Sequence, residues 1–472
     1  MNWTEFTRWG TWISRWAARY HNSLRERPVR AQSKPGDIIA LLPKSPPEAG
    51  EDMQGILDDF ERIVMPGVTH WQHPRFFAYF PANAAPPSML AEMLVSTIAP
   101  QCMLWQTSPA ATEMETRMLE WLQQSIGLPD SFSGVIQDSA SSATLAAVLT
   151  MREKALEWTG NQQGLSQQPR LRVYASTEVH SSIDRALWVS GVGQDNLVRI
   201  PVQPGRLRSM DAASLEQAIQ SDLQAGYLPI GVIACTGGTG VGACDDLTQV
   251  LSVARAHGLY SHVDAAWAGA AMICPEYREL WAGVELADSV VFNPHKWLGA
   301  QFDCSAHFIA SPADLVRTLA IQPEYLKTHG TDGIINYSEW SVPLGRRFRA
   351  LKLWFLIRSY GLEGLRERIR HHVGWSEALA RRLAAHQRFE IVTEPVLSLF
   401  SFRPQGASDE AVIDYVNRIN NDGRIYITQT RVDKRMAVRF QVGQFDASEA
   451  DIDTAYDVLC ELVDTASVSA LP

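Results

Sequence analysis

The chain reads as an α/β protein: a mostly parallel central sheet, a helical N-terminal segment and a smaller α+β C-terminal domain. Three observations predict this. Between residues 171 and 292, short β-branched runs alternate with amphipathic runs of helical period, the pattern of right-handed βα crossovers. Residue types able to do chemistry stand where those apolar runs end, at the edge where open α/β sheets bind ligands. From about residue 351 the character changes to charged amphipathic helices and short strands. The expected boundaries are 1–83 for the N-terminal helical segment, 84–350 for the large α/β domain and 351–472 for the small domain.

Size and composition agree with a folded multi-domain protein. The 472 residues are 46% hydrophobic and 20% charged. A net charge of −10 argues against nucleic acid or an anionic membrane as main partner. Six cysteines without CxxC spacing suggest a reduced, cytoplasmic protein, and there is no Cys/His cluster to hold a metal. No apolar run approaches the ~20 residues of a membrane span.

In the first segment, Trp3, Phe6, Trp9, Trp12, Ile13, Trp16 and Tyr20 form one apolar stripe on a helix. An arginine-rich targeting peptide is the rival reading. The absence of an apolar h-region, with Glu5 and Glu26 interrupting the basic character, favours a packing surface. A Pro-rich connection and a helix follow over 35–65. Next comes HWQHPRFFAYFP, dense in aromatic residues, and then QCMLWQTSP ahead of a helix that Thr107 or Ser108 would cap.

Val135-Ile136 reads as a strand, Ser139-Ala140-Ser141-Ser142 as a turn, and the Ala/Leu-rich run after it as a helix. Amide groups and hydroxyls therefore collect at a helix N-terminus, where the dipole favours an anion. A plain N-cap explains such a turn equally well.

The alternation then begins. LRVYAS ends before His180, IGVIAC before the Gly-rich turn holding Thr239, YSHV at Asp264, and SVVF just before Asn293, His295 and Lys296. A lysine between an apolar strand and Trp297-Leu298 can lose its proton and attack carbonyls. Taken singly, Asp264 reads equally as a helix cap, His180 as a buried histidine, and His295 as a metal ligand lacking its partners. The stretch 311–350 is polar, glycine-containing and aperiodic, which suggests a mobile loop.

The ordered set SASS, VHSS, TGGTG, HVDAAWAG, NPHKW, FDCSA and PLGRRFRALKLW resembles the group II amino-acid decarboxylases, closest to their aromatic-L-amino-acid branch, over roughly residues 20–460. The resemblance implies the PLP-dependent transferase-like, fold-type I architecture and pyridoxal 5'-phosphate as cofactor. It makes Lys296 the residue bonded to the cofactor and Asp264 the partner of its ring nitrogen. His180 and Ala266 would lie on the two faces of the ring. Ala140, Ser141 and Asn293 would anchor the phosphate, Thr239 would lie near the ring, and His295 would also belong to the cofactor site. Tyr337, in NYSEW, is the candidate proton donor.

For the substrate, the resemblance points to Trp71, Tyr79, Phe80, Pro81, Ala82, Met103 and Gly345. Ala82 stands where the animal enzymes carry threonine, which removes one hydroxyl from that pocket. The resemblance further implies a homodimer with the active site at the subunit interface and the N-terminal helices against the partner. The expected reaction is conversion of an aromatic L-amino acid to its amine and CO2. An aldehyde synthase, which also deaminates oxidatively, is the alternative that Tyr337 and His180 oppose. Decarboxylases of glutamate, histidine or diaminobutyrate share the scaffold. The aromatic run 71–80 and the lack of an arginine cluster there favour a ring. The choice among tryptophan, tyrosine, DOPA and phenylalanine stays open.

Overall fold

The computed structural model describes residues 1–321 and 333–468. The chain forms two compact units. One combines residues 1–81, 377–392 and everything from Ser401 onward; the other holds 82–376 and 393–400. The N-terminal segment and the C-terminal domain, expected as separate pieces, thus share one unit. The larger unit begins at Ala82 and runs to Ser376, past the expected boundary at 350.

The larger unit is built on a seven-stranded sheet of order β1-β7-β6-β5-β4-β2-β3. Its strands are β1 (Ser133–Gln137), β2 (Leu171–Ser176), β3 (Leu197–Ile200), β4 (Leu228–Cys235), β5 (Tyr260–Asp264), β6 (Ser289–Phe292) and β7 (Ser305–Ile309). β3, β2, β4, β5 and β6 pair in parallel, and β7 pairs antiparallel with both β6 and β1. β7 alone is therefore reversed. β5, β6 and β7 are buried at every position, as a sheet covered on both faces requires. The helix Ala140–Ala155 lies against this sheet through small residues, with Ala143, Ala146 and Ala147 fully buried.

The strands β5 and β7 bury a histidine pair. His307 has no exposed surface, and neither ring nitrogen finds a hydrogen-bond partner. Burial pushes its pKa down to about 3. His262 stands edge-on to it with ring centroids 5.9 Å apart, bonded to Ser289 Oγ (2.7 Å) and Thr144 Oγ1 (3.3 Å). Burial and then the His307 charge hold His262 well below the ordinary value. Histidines with such lowered values bind protons on unfolding. Stability is therefore complete above pH 6.5 and falls as the pH drops toward 3. Each contributes a slope of up to about 1.4 kcal/mol per pH unit. His307→Leu should flatten the pH dependence of the urea midpoint between pH 6 and 4; an unchanged slope would show that this burial is not felt.

The smaller unit has a four-stranded antiparallel-type sheet of order β10-β11-β9-β8, from β8 (Phe389–Val396), β9 (Leu399–Pro404), β10 (Thr428–Val432) and β11 (Arg435–Gln441). β8 and β9 run across the boundary between units. The two ends of the chain are stitched together here. Val29 N–H bonds to the Gly423 carbonyl (2.9 Å), and Phe77 N–H to that of Tyr426 (2.8 Å). The first helix, Trp3–Asn22, starts with a capping box between Asn2 and Glu5. Trp16 stacks on Tyr20 (5.2 Å, 11°) and meets Phe60 edge-on. Trp3, Phe6 and Ile13 stay exposed, so the single chain covers only part of the stripe.

Candidate active site

Parallel strands of one sheet end at one edge, so β2, β4, β5 and β6 deliver His180, the 236–240 turn, Asp264 and Asn293–Lys296 to the same side of the larger unit. Lys296 lies in a wide helical turn, Pro294–Leu298, directly after β6. Its N–H bonds to the Asn293 carbonyl (2.9 Å), and its own carbonyl accepts from Asn83 Nδ2 (2.8 Å). Asn83 is fully buried and gave no signal in the sequence beyond following the aromatic run.

Asp264 ends β5 at 8% exposure. Its Oδ1 accepts from the Ala266 N–H (3.0 Å), the one hydrogen bond that reaches this carboxylate among the described residues. Its other oxygen has acceptor capacity to offer a cationic or donor group that enters the site. The charges of Asp264 and Lys296 both act on His180, which brings the three together. Ala266 packs with Ala140, Ala143 and Val291, so the Asp264 turn meets the start of the helix Ala140–Ala155. That helix is capped by Ser139 Oγ, which accepts from Ser142 N–H (3.2 Å), and Ser141 is exposed in its first turn. Asn293 is buried, takes a hydrogen bond from the Ser305 hydroxyl, and gives its N–H to the Ala266 carbonyl (2.9 Å).

The glycine turn before Thr239 is a close-approach site. Gly237 has φ +82°, and a Cβ there would lie 2.5 Å from that of Ala268; one on Gly238 would lie 3.0 Å from the Glu178 carbonyl oxygen. Thr239 therefore follows a turn wedged between the Asp264 and His180 segments.

His295 is 4% exposed. Its Nδ1 accepts from the Cys304 N–H (2.9 Å), which leaves the ring proton on Nε2. Burial first, and the Lys296 charge next, push its pKa to about 3. His295 is thus a fixed neutral donor. Trp267 and Trp297, each one residue beyond a site residue, stack with centroids 5.0 Å apart, and Trp297 Nε1–H bonds to His372 Nδ1 (2.9 Å). This column ties the ends of β5 and β6 to the helix Ala350–Ala385. Its only trace in the sequence was a tryptophan after each motif.

Met103 and Gly345 are also brought together. Cys102 N–H bonds to the Arg346 carbonyl (3.1 Å), and Arg346 N–H to Gln101 Oε1 (2.8 Å). The Arg346 guanidinium forms a buried ion pair with Glu115. It also donates to the Ile136 carbonyl (3.0 Å) and the Ser341 hydroxyl (3.1 Å). Ser108 is the N-cap residue of the following helix, Pro109–Ile126, as expected, but its side chain makes no capping bond. Trp71, Tyr79, Phe80 and Pro81 belong to the smaller unit, and Ala82 opens the larger. Trp71 stacks near-parallel on Tyr79 (5.8 Å, 17°). Arg439 lies over the Phe80 ring (4.6 Å) and donates to the Tyr79 carbonyl, with Tyr79 held at φ +47°.

Tyr337 requires a correction. An aromatic in a polar, aperiodic loop has no evident packing role, which is what makes it a candidate donor. In fact it is 2% exposed. Its hydroxyl bonds to Thr116 Oγ1 (2.9 Å), and its ring meets Trp340 edge-on beneath the Arg346 guanidinium. Burial raises the phenol's pKa. Packing is thus a sufficient reason for an aromatic at this position. Much of the expected loop, including Tyr325, the other phenol of that stretch, lies outside the described residues. Tyr337→Phe should lower stability by about 0.5–1.5 kcal/mol, the worth of one hydrogen bond. It should leave amine and CO2 in equal amounts; aldehyde appearing at the expense of amine would restore Tyr337 to the chemistry.

This donor set fits pyridoxal phosphate. There is a lysine to tether it, a buried carboxylate with spare acceptor capacity for a protonated ring nitrogen, a histidine and a small Ala266 to flank the ring, and a capped helix N-terminus for the phosphate. Fold and site together define a PLP-dependent enzyme of fold type I. Residues 35–405 match the pyridoxal-dependent decarboxylase conserved domain. The chain is 39% identical to aromatic-L-amino-acid decarboxylase of Rattus norvegicus, with 97% of each chain covered. It is 35% identical to phenylacetaldehyde synthase of Arabidopsis thaliana, covering 94% of this chain and 93% of that one. The crystal structure of Oryza sativa TDC with PLP and tryptamine matches with a TM-score of 0.95 at 33% identity, over 98% of this chain and 99% of that one. The protein therefore belongs to the pyridoxal-dependent decarboxylase family, and its cofactor is pyridoxal phosphate. Among the described residues no helix is long and apolar enough to cross a membrane, and no group of residues forms a metal site.

Proposed function

We propose that the protein converts an aromatic L-amino acid to its amine and CO2, working as a cytoplasmic homodimer. The observation that carries the choice of an aromatic substrate is the part-exposed Trp71–Tyr79 stack. An aromatic surface left open in a strained backbone suits recognition of another ring. The 39% identity to an aromatic-L-amino-acid decarboxylase supports the same reading.

Pyridoxal phosphate, when bound, supplies an electron sink for the bonds at the substrate's Cα. The chain's own residues do the rest. Lys296 would tether the cofactor through Nζ, and Asp264 would favour the protonated ring nitrogen. His180 and Ala266 would leave a flat slot between them. The amides at Ala140 and Ser141, with Asn293 and the Nε2–H of His295, would hold the phosphate, and Thr239 would border the ring. Among the described residues, Lys296 Nζ, beside His180, is the group suited to carry a proton to Cα. Met103 and Gly345, with Tyr79, Phe80, Pro81 and Ala82, are the proposed substrate contacts.

Exposed Trp3, Phe6 and Ile13, and Leu90, Met93, Leu94 and Ile98 on one face of the helix Pro86–Ile98, support a partner surface. Sedimentation should give twice the 52.5 kDa chain mass. A 35% identical aldehyde synthase keeps a second reading in view, decarboxylation with oxidative deamination. One assay separates the readings: CO2, amine, aldehyde and peroxide measured over tryptophan, tyrosine, DOPA, phenylalanine, glutamate and histidine. Equal amine and CO2 from aromatic substrates alone is the expected result, with phenylalanine and tryptophan ahead of DOPA because Ala82 offers no hydroxyl. Turnover confined to glutamate or histidine would overturn the proposal.

A further inference from the structure

We infer that Ser182 is a positioning residue for His180: its backbone amide and hydroxyl hold the imidazole neutral, with the ring proton on Nε2, so that His180 lies beside the cofactor as a neutral ring and not as a base. The inference rests on the proposed function only in taking the space beside His180, Asp264 and Lys296 as the cofactor site.

The geometry is local and specific. Ser182 N–H donates to His180 Nδ1 over 3.1 Å, and Ser182 Oγ lies 2.9 Å from the same nitrogen. A ring nitrogen that accepts an amide hydrogen cannot carry one itself, so the proton of the neutral ring is on Nε2. An Nε2 already bearing hydrogen cannot take another. For His180 to gain a proton, Nδ1 must give up the amide hydrogen bond, and the Ser182 hydroxyl must stop donating to it.

The contact is held rigidly. Ser182 is buried and opens the helix Ser182–Val189, whereas His180 and Ser181 lie open on the single chain. Ile183 N–H bonds to the His180 carbonyl (3.1 Å), closing the turn around the histidine. Asp184, in the first helical turn, is gripped by Arg199 of β3 through both carboxylate oxygens (2.6 and 2.7 Å), which pins the turn to the sheet.

The charged groups that face His180 come from three elements. Asp264 at the end of β5 and Asp184 on its own helix favour the imidazolium; Lys296 after β6 and Arg185 on the helix oppose it. Carboxylates and cations thus work against each other, and the Ser182 contact adds its preference for the neutral ring. His295 repeats the device with a different donor, the Cys304 N–H, so both site histidines present Nε2–H.

The test is nitrogen NMR of the holoenzyme labelled with 15N-histidine, with the His180 signals identified by their loss in His180→Gln. The expected spectrum has an unprotonated Nδ1 and a protonated Nε2 for His180 across pH 6–8. In Ser182→Ala, which keeps the amide but loses the hydroxyl, the pH at which His180 gains a proton should rise by about half a unit to one unit. Ser182→Thr should restore it. The pH below which the protein releases its cofactor should move in step. A protonated Nδ1 in the unmodified protein, or the same titration midpoint in Ser182→Ala, overturns the inference. The first of these needs no variant to fold. Either result alongside normal CO2 release leaves the decarboxylase reading standing, whereas absent CO2 release with the expected spectrum overturns that reading and not this one.

Discussion

Lys296→Ala should leave a folded protein that no longer holds pyridoxal phosphate covalently and has lost at least about 10²–10⁴-fold of its turnover. Folding should survive because the backbone at 296 is held by Asn83 Nδ2 and by the Asn293 carbonyl, contacts that alanine retains. The readout is borohydride reduction followed by mass spectrometry. The parent chain should gain the cofactor's mass on the peptide carrying Lys296, and the variant should not. Visible absorption of the bound cofactor should change accordingly. If another lysine took the label and turnover persisted, the site would have to be moved. The fully buried Lys352 is a poor candidate, since it is already engaged by Glu92 (2.7 Å) and the carbonyls of Gln301 and Asp303 (both 3.0 Å).

Asp264→Asn is the second large effect. Asparagine keeps the size of the side chain and, through its amide oxygen, the bond from Ala266 N–H. It removes the charge that would favour a protonated ring nitrogen. Cofactor binding through the phosphate side should persist, while turnover falls by about 10²–10³-fold, the usual cost of losing one preorganised electrostatic partner in a closed site. The same change removes a carboxylate that favours protonation of His180, so the histidine's titration should move further down. Near-normal turnover in Asp264→Asn would break the pairing of aspartate and ring.

Much of the site was legible because it is local. Strand ends announce themselves by a change from β-branched residues to glycine, proline or a polar side chain. His180, Asp264 and Lys296 each sit at such a change, and a parallel sheet carries them to one edge. What stayed hidden depends on partners far away in the chain. Tyr337 looked unpacked because its partner, Thr116, is 221 residues distant. The Trp297–His372 bond spans 75 residues, and Asn83 reaches Lys296 across 213. Periodicity reports which face of an element is buried, not what buries it. The grouping of the two chain ends into one unit stayed hidden for the same reason: composition marks a change near 351, but nothing local says that Val29 will bond to Gly423.

That stitching of the two ends has a consequence for how the protein is made. The smaller unit needs strands that leave the ribosome last, while its first 81 residues leave first. The nascent N-terminal stretch can make its bonds from Val29 and Phe77 only once almost the whole chain exists. Meanwhile the sheet that carries Lys296 can assemble from nearly contiguous sequence. Closing so long a loop is slow relative to local pairing. Synthesis therefore passes through a stage in which the cofactor-binding edge is formed and the first and last parts of the chain have yet to meet.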